Sequence, residues 1–202
     1  MNKGNVWILS GPSGSGKDTL IVKLLAAHPE IEFSISSITR PMRQGEKEGE
    51  KYHFLSREEF ERMIEQDELL EYNEFVGNYY GTPRSPVEKA VQNGKDMLIE
   101  VDVNGAAQIR KRLPEAKSVF IMPPSLAELK RRLSGRGTEE PEVIQKRLDS
   151  AVEEIHRAVE YDYIVINGEL SAALDELVAV LSGNRLRCEN QIEIIEEVLS
   201  LC

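Results

Sequence analysis

The sequence predicts an α/β fold, a parallel sheet covered by helices on both faces. Short apolar runs alternate with helix-length amphipathic stretches along most of its 202 residues, the pattern of strands joined by crossover helices. The first apolar run is followed at once by a glycine-rich turn that opens a helix. One middle segment, about 36–94, breaks the alternation and reads as an inserted domain.

Asn5–Leu9 is a buried strand by its continuous apolar character. A helix from Asp18 to Ala27 follows, with Leu20, Lys23, Leu24 and Ala27 at helical spacing and Pro29 closing the unit. Phe33–Ile38 alternates apolar and polar residues, as one half-buried strand does. Arg40–Lys51 is dense in Gly, Arg, Lys and Glu, a solvated loop with nothing to bury. Ser56 and Glu59 have capping-box spacing and open a helix to about Gln66. Leu69–Phe75 and Asn78–Thr82 are two strands turning at Gly77, and Ser85–Asn93 is a helix closed by Gly94. Met97–Asp102, Ser118–Met122 and Tyr163–Asn167 are further core strands. Between and after them the spacing predicts helices over Gly105–Leu113, from Ser125 to Gly135, over Pro141–Glu160, and over Ser171–Ser182.

Composition excludes several classes. With 41% hydrophobic and 30% charged residues the chain is an ordinary globular protein, and no apolar run approaches the ~20 residues of a membrane helix. The start of the sequence lacks a signal-peptide pattern, so the expected location is cytoplasmic. Cys188 and Cys202 both lie in the tail and match no metal or disulfide spacing. A net charge of -10 argues against a nucleic acid polymer as partner, though not against a mononucleotide in a locally basic pocket. His28, His53 and His156 show neither the spacing nor the carboxylate partner of a metal site, and Trp7 reads as core. Ile192, Ile195 and Leu199 share one helical face in the tail, which can dock on its own core or on a second subunit; a monomer and a homodimer both fit.

The chemistry begins at Gly11-Pro-Ser-Gly-Ser-Gly-Lys17, which fits G-x-x-x-x-G-K between a strand and a helix. Glycines let backbone N–H groups converge on phosphate oxygens, the helix N-terminus adds positive potential, and Lys17 reaches the outer phosphates. The residue after the lysine is Asp18 rather than Ser or Thr, with Thr19 next, so the usual hydroxyl ligand for Mg2+ is displaced.

Four motifs in this order resemble the guanylate kinase family: residues 11–17, Ser36–Glu46 with Tyr52 and Phe54, Gly77–Gly81, and Gly135–Thr138. The likeness covers nearly all of residues 5–182. It implies a P-loop NTPase core (1–35 and 95–182) with a mobile lid at about 132–150, a GMP-binding insertion at 36–94, and an extension at 183–202. It also implies transfer of the γ-phosphoryl group of ATP, carried as Mg-ATP, to GMP. Matched by position, Gly11, Pro12, Ser13, Gly14, Ser15, Gly16, Lys17, Asp18 and Thr19 hold ATP, with Asp18 a candidate metal ligand. Arg40, Arg43, Tyr52 and Tyr80 hold the GMP phosphate, Ser36, Glu71 and Thr82 meet guanine with Glu100 and Asp102 nearby, and Glu46 belongs to the same set. Lys17, Arg40 and the lid residues Arg132, Arg136 and Arg147 carry the catalytic charge. Asn167 reads equally as a neighbour of adenine and as a loop cap.

Residue chemistry agrees. Arginine forks bind phosphate oxygens bidentately, and a carboxylate accepts both the N1–H and N2–H2 of guanine, whereas adenine presents an acceptor at N1. Two alternatives stay open on sequence. One is a kinase of this fold acting on ribose 1,5-bisphosphate; such kinases resemble this family and can carry GPSGSGKD, but need no guanine reader. The other is a non-catalytic guanylate kinase-like binding module.

Overall fold

The computed structural model describes residues 3–135 and 141–185. Arg136 and Thr138 of the expected lid, and the tail from 186 with both cysteines, lie outside the described residues. Along the chain run β1 (Val6–Ser10), α1 (Lys17–Ala27), β2 (Glu32–Phe33), β3 (Ser36–Ile38), β4 (Tyr52–Phe54), α2 (Arg57–Glu65), β5 (Leu69–Phe75), β6 (Asn78–Pro83) and α3 (Arg84–Gln92). There follow β7 (Met97–Glu100), α4 (Val103–Arg112), β8 (Lys117–Met122), α5 (Leu126–Ser134), α6 (Pro141–His156), β9 (Tyr163–Ile166) and α7 (Leu170–Arg185). The chain divides into two compact units, one of residues 4–10 and 30–118, the other of 11–29 and 119 onward.

In the first unit β1 and β2 both pair parallel with β7. Every residue of β1 is buried, which explains why it reads as a continuous apolar run rather than an alternating one. Trp7, Ile8, Leu9, Leu98 and Ile99 form this core with Ala106 and Ile109 of α4. A second sheet, ordered β4-β3-β6-β5, occupies the middle segment. The β5–β6 hairpin turns through Val76 at φ 49° and Gly77 at φ 71°, two left-handed residues as a tight primed turn requires. The Ser56–Glu59 capping box is present in full.

In the second unit β8 and β9 pair parallel, from Val119↔Tyr163 to Met122↔Ile166, and α1 packs with α7. Leu129 and Leu133 of α5 and Leu148 and Ala151 of α6 form a small core of their own, with Ile144 against it. Full burial of one such aliphatic side chain is worth about 1.5–3 kcal/mol, so this cluster favours the packing of the two helices.

The structure corrects several sequence readings. Phe33–Ile38 is not one strand: β2 ends beside β7, where the Ser34 N–H donates to the Leu98 carbonyl, and β3 then joins the other sheet. Apolar and polar residues alternate from Phe33 to Ser36, straight across the switch, and such a period does not say which sheet a strand joins. Residues 52–54, left unassigned by pattern, form β4 beside β3. Met97–Asp102 ends as a strand at Glu100, and Asp102 caps α4, which starts at Val103 rather than Gly105. The helix expected over Pro141–Glu160 tightens to 3-10 geometry at Arg157–Glu160. Residues 183–185, expected in the extension, complete α7.

Candidate active site

The phosphate loop leaves β1 and ends at Gly16, the residue before α1. The residue before α1 is a glycine, so no N-cap side chain bonds the first turn of the helix. Gly16 sits at φ 87°, and a Cβ there would stand 2.4 Å from Asn167 Nδ2; only glycine fits. Lys17 is half-buried, and Asp18 and Thr19 are exposed on the first turn. Two arginines expected to face the triphosphate reach this loop. Arg147 Nη2 donates to Ser13 Oγ at 2.5 Å. Arg132 Nη1 donates to the Ser15 carbonyl at 3.1 Å and its Nη2 to the Asn167 carbonyl at 2.9 Å, while its Nε bonds Glu128 Oε1 at 2.8 Å. Arg131 and Arg132 together hold the Glu128 carboxyl down to about 2. Glu128 is the acid of the Ser125 cap, but its side chain turns to these arginines while Ser125 Oγ accepts its N–H.

The other unit carries the expected acceptor residues. Arg40, placed by pattern in a loop with nothing to bury, is only 9% exposed. Its Nη1 and Nη2 donate to Glu46 at 2.7 and 2.6 Å, and Nη1 also to the Pro41 carbonyl at 3.0 Å. The guanidinium lies 5.3 Å from the Tyr52 ring centre and 5.8 Å from that of Phe54. The bond to Glu46 is the main reason Arg40 stays firmly charged, and the Tyr80 hydroxyl adds to it. In return Arg40 holds the Glu46 carboxyl at about 2, helped by the Arg43 N–H, which donates to Glu46 Oε2 at 2.8 Å. Glu46 is thus the anchor of the arginine loop, and the Arg43 side chain stays exposed. His53, expected without a carboxylate partner, pairs with Glu48 at 2.7 Å. No group of three or more metal-ligating side chains occurs among the described residues.

Glu71 and Thr82 face each other across β5 and β6, in a register set by an irregularity between Leu69 and Glu71. Leu69, Leu70 and Glu71 are consequently buried in succession, and Glu71 is only 5% exposed. Thr82 Oγ1 donates to Glu71 Oε1 at 2.7 Å. Burial above all, with the Asp102 charge added, lifts the Glu71 carboxyl to about 7 against the Thr82 bond that opposes it. Asp102 accepts from the N–H groups of Asn104 and Gly105 through Oδ1 and from Asn73 Nδ2 through Oδ2. Glu100 pairs with Lys51 at 3.2 Å, and Ser36, Tyr52 and Tyr80 stand half-buried on β3, β4 and β6 of the same sheet.

Sequence reasoning missed Lys51, Asn73, Glu128 and Gly105. A Cβ on Gly105 would lie 2.9 Å from Glu71 Oε2, so this glycine makes room for the buried carboxyl. Nothing in a helix of ordinary pattern signals that.

The Glu71 shift fixes a pH dependence. Its folded value lies above the ordinary 4.5, so its contribution to stability is full below that pH and is lost as pH rises through about 7. Across that interval the ligand-free wild type should lose roughly 3 kcal/mol more stability than the Glu71→Gln variant. Melting temperatures at pH 5 and pH 8 check this, and parallel profiles for the two proteins would refute it.

The fold and the glycine-lysine loop define a P-loop phosphotransferase. The guanylate kinase family model matches residues 3–184. The chain is 47% identical to the guanylate kinase of Desulfitobacterium hafniense (strain Y51), covering 98% of both chains, and 46% identical to that of Neisseria gonorrhoeae (strain ATCC 700825 / FA 1090), covering 98% of this chain and 96% of the other. The crystal structure of guanylate kinase from Anaplasma phagocytophilum superposes with a TM-score of 0.75 at 34% identity, over 93% of this chain and 89% of that one. The chain belongs to the guanylate kinase family, whose reaction is the transfer of a phosphoryl group from ATP to GMP.

Proposed function

We infer that this chain converts ATP and GMP to ADP and GDP, with the triphosphate on residues 11–19 and GMP on the four-stranded sheet. The observation that carries the acceptor's identity is Glu71, a buried carboxyl paired to Thr82 and roomed by Gly105. As a carboxylate it accepts both guanine donors; adenine leaves it facing an acceptor. Such a site discriminates by roughly 10,000-fold or more, because the wrong base strands buried polar groups.

Phosphoryl transfer needs positioning and charge neutralisation more than covalent help. Lys17, Arg147 and Arg136 neutralise the triphosphate, and Arg132 supports the loop that holds it. Arg40 and Arg43, with Tyr52 and Tyr80, orient the GMP phosphate in line. No general base is needed, since that phosphate is largely ionised near neutral pH. Mg2+, carried with ATP, would supply charge neutralisation for the triphosphate. The exposed Asp18 carboxylate beside Lys17 suits such an ion, which typically takes one or two carboxylates with phosphate oxygens and water. We assign the core to 1–35 and 95–182, the lid to about 132–150, the GMP domain to 36–94, and the enzyme to the cytoplasm. No described helix is long and apolar enough to cross a membrane.

An ADP-release assay with ATP against GMP, dGMP, AMP, UMP and ribose 1,5-bisphosphate tests the reading. GMP should exceed AMP by roughly 10,000-fold in kcat/KM. Equal or faster turnover of AMP or of the sugar phosphate would overturn it.

A further inference from the structure

We propose that Asn167 is a positioning residue of the phosphate loop: its carboxamide, with Arg132, locks the peptide between Ser15 and Gly16. Asn167 is 4% exposed and directs Nδ2 at the Ser15 carbonyl, 2.8 Å away. Arg132 Nη1 donates to the same carbonyl at 3.1 Å, so one loop oxygen takes two side-chain donors. The Asn167 backbone is fixed as well. Its N–H donates to the Met122 carbonyl, and its carbonyl accepts from Arg132 Nη2 at 2.9 Å. Glu128 closes the ring by holding Arg132 through Nε. Ser15 is held through its backbone: its N–H donates to the Pro12 carbonyl, and its buried hydroxyl finds no partner among the described residues.

In a trans peptide the C=O and the following N–H point in opposite directions. Pinning the Ser15 carbonyl therefore aims the Gly16 N–H away from Asn167 and Arg132, at the start of a helix that no side chain caps. A loop donor fixed in advance costs no reorganisation when a phosphate arrives. Gly16 is the second sign of the same device, since its missing Cβ is what lets the carboxamide come so close. A residue that reads adenine must present its amide to the base, whereas this one is buried against the loop. The inference rests on the ATP-binding reading of residues 11–19.

The test uses the full chain and a probe with no base. Dissociation constants for Mg-ATP and for magnesium tripolyphosphate are measured for wild type, Asn167→Ala and Asn167→Asp, with the KM for GMP alongside. We expect Asn167→Ala to weaken both ligands by the same factor, about 10-fold, the worth of one such hydrogen bond, and to leave the GMP KM unmoved. Asn167→Asp, of the same shape but without the donor, should lose at least as much. Wild-type affinity for tripolyphosphate in either variant would overturn the proposal, and so would a loss confined to ATP, which would make Asn167 a base reader. Failure of the wild type itself to bind either ligand would instead sink the reading of the loop, and the proposal with it. Should the variants not fold, wild-type 1H–15N spectra decide. The Asn167 side-chain amide should be protected from exchange and unmoved by adenosine; an exposed amide, or one shifted by adenosine, refutes the lock.

Discussion

Glu71→Gln is expected to lower kcat/KM for GMP by about 2–4 kcal/mol, roughly 30- to 900-fold, and to leave the KM for ATP almost unchanged. The carboxyl is buried and already bonded to Thr82, so its remaining acceptor capacity has no competitor from bulk water. Glutamine keeps the volume and one acceptor, which Thr82 can still satisfy. It puts an NH2 group where guanine also donates, so two donors meet in a dry site. Burial holds the carboxyl at about 7, and guanine donors placed against it would favour its ionised form and so draw the proton off. Steady-state kinetics with each substrate varied in turn give the result. Normal GMP kinetics in the variant would show that Glu71 does not read the base.

Arg40→Ala should cut kcat/KM for GMP by about 100- to 1,000-fold, the scale for removing one preorganised donor from a transition state. Glu46 and Pro41 occupy three of the five guanidinium N–H groups and set its plane against Tyr52 and Phe54. The guanidinium is thereby held in place before any ligand arrives. Arg40→Lys should recover little, because an ammonium cannot keep the two-point grip on Glu46 and offer a second fork to phosphate. If the Ala variant shows a lowered melting temperature with unchanged GMP kinetics, Arg40 serves the loop alone.

The sequence made some of this visible and hid the rest for identifiable reasons. The phosphate loop, the Ser56–Glu59 box and the turn at Gly77 are local: their spacing and residue types dictate their geometry within a few positions. The proposal of Glu71 as guanine reader comes from chemical type and family likeness; its burial depends on a strand irregularity and on Gly105, which is 34 positions away in sequence. Arg40 looked solvated because its partner Glu46 lies in the same charged loop, and composition does not show that opposite charges fold onto each other. Asn167 left two readings level, because its bond to Ser15 spans 152 positions. The break between β2 and β3 is hidden because Phe33 to Ser36 alternates straight across it.

That break has a mechanical side. Ser34 is still bonded to β7, and β3 begins at Ser36, so the tether between the two sheets of this unit is in effect Ile35. Two residues of extended chain reach only about 7 Å. The second sheet is therefore held close at this corner, and Asn73–Asp102 and Lys51–Glu100 hold it elsewhere along its length. Lengthening that link with a glycine pair would loosen this corner alone, because those two pairs would still hold the sheet.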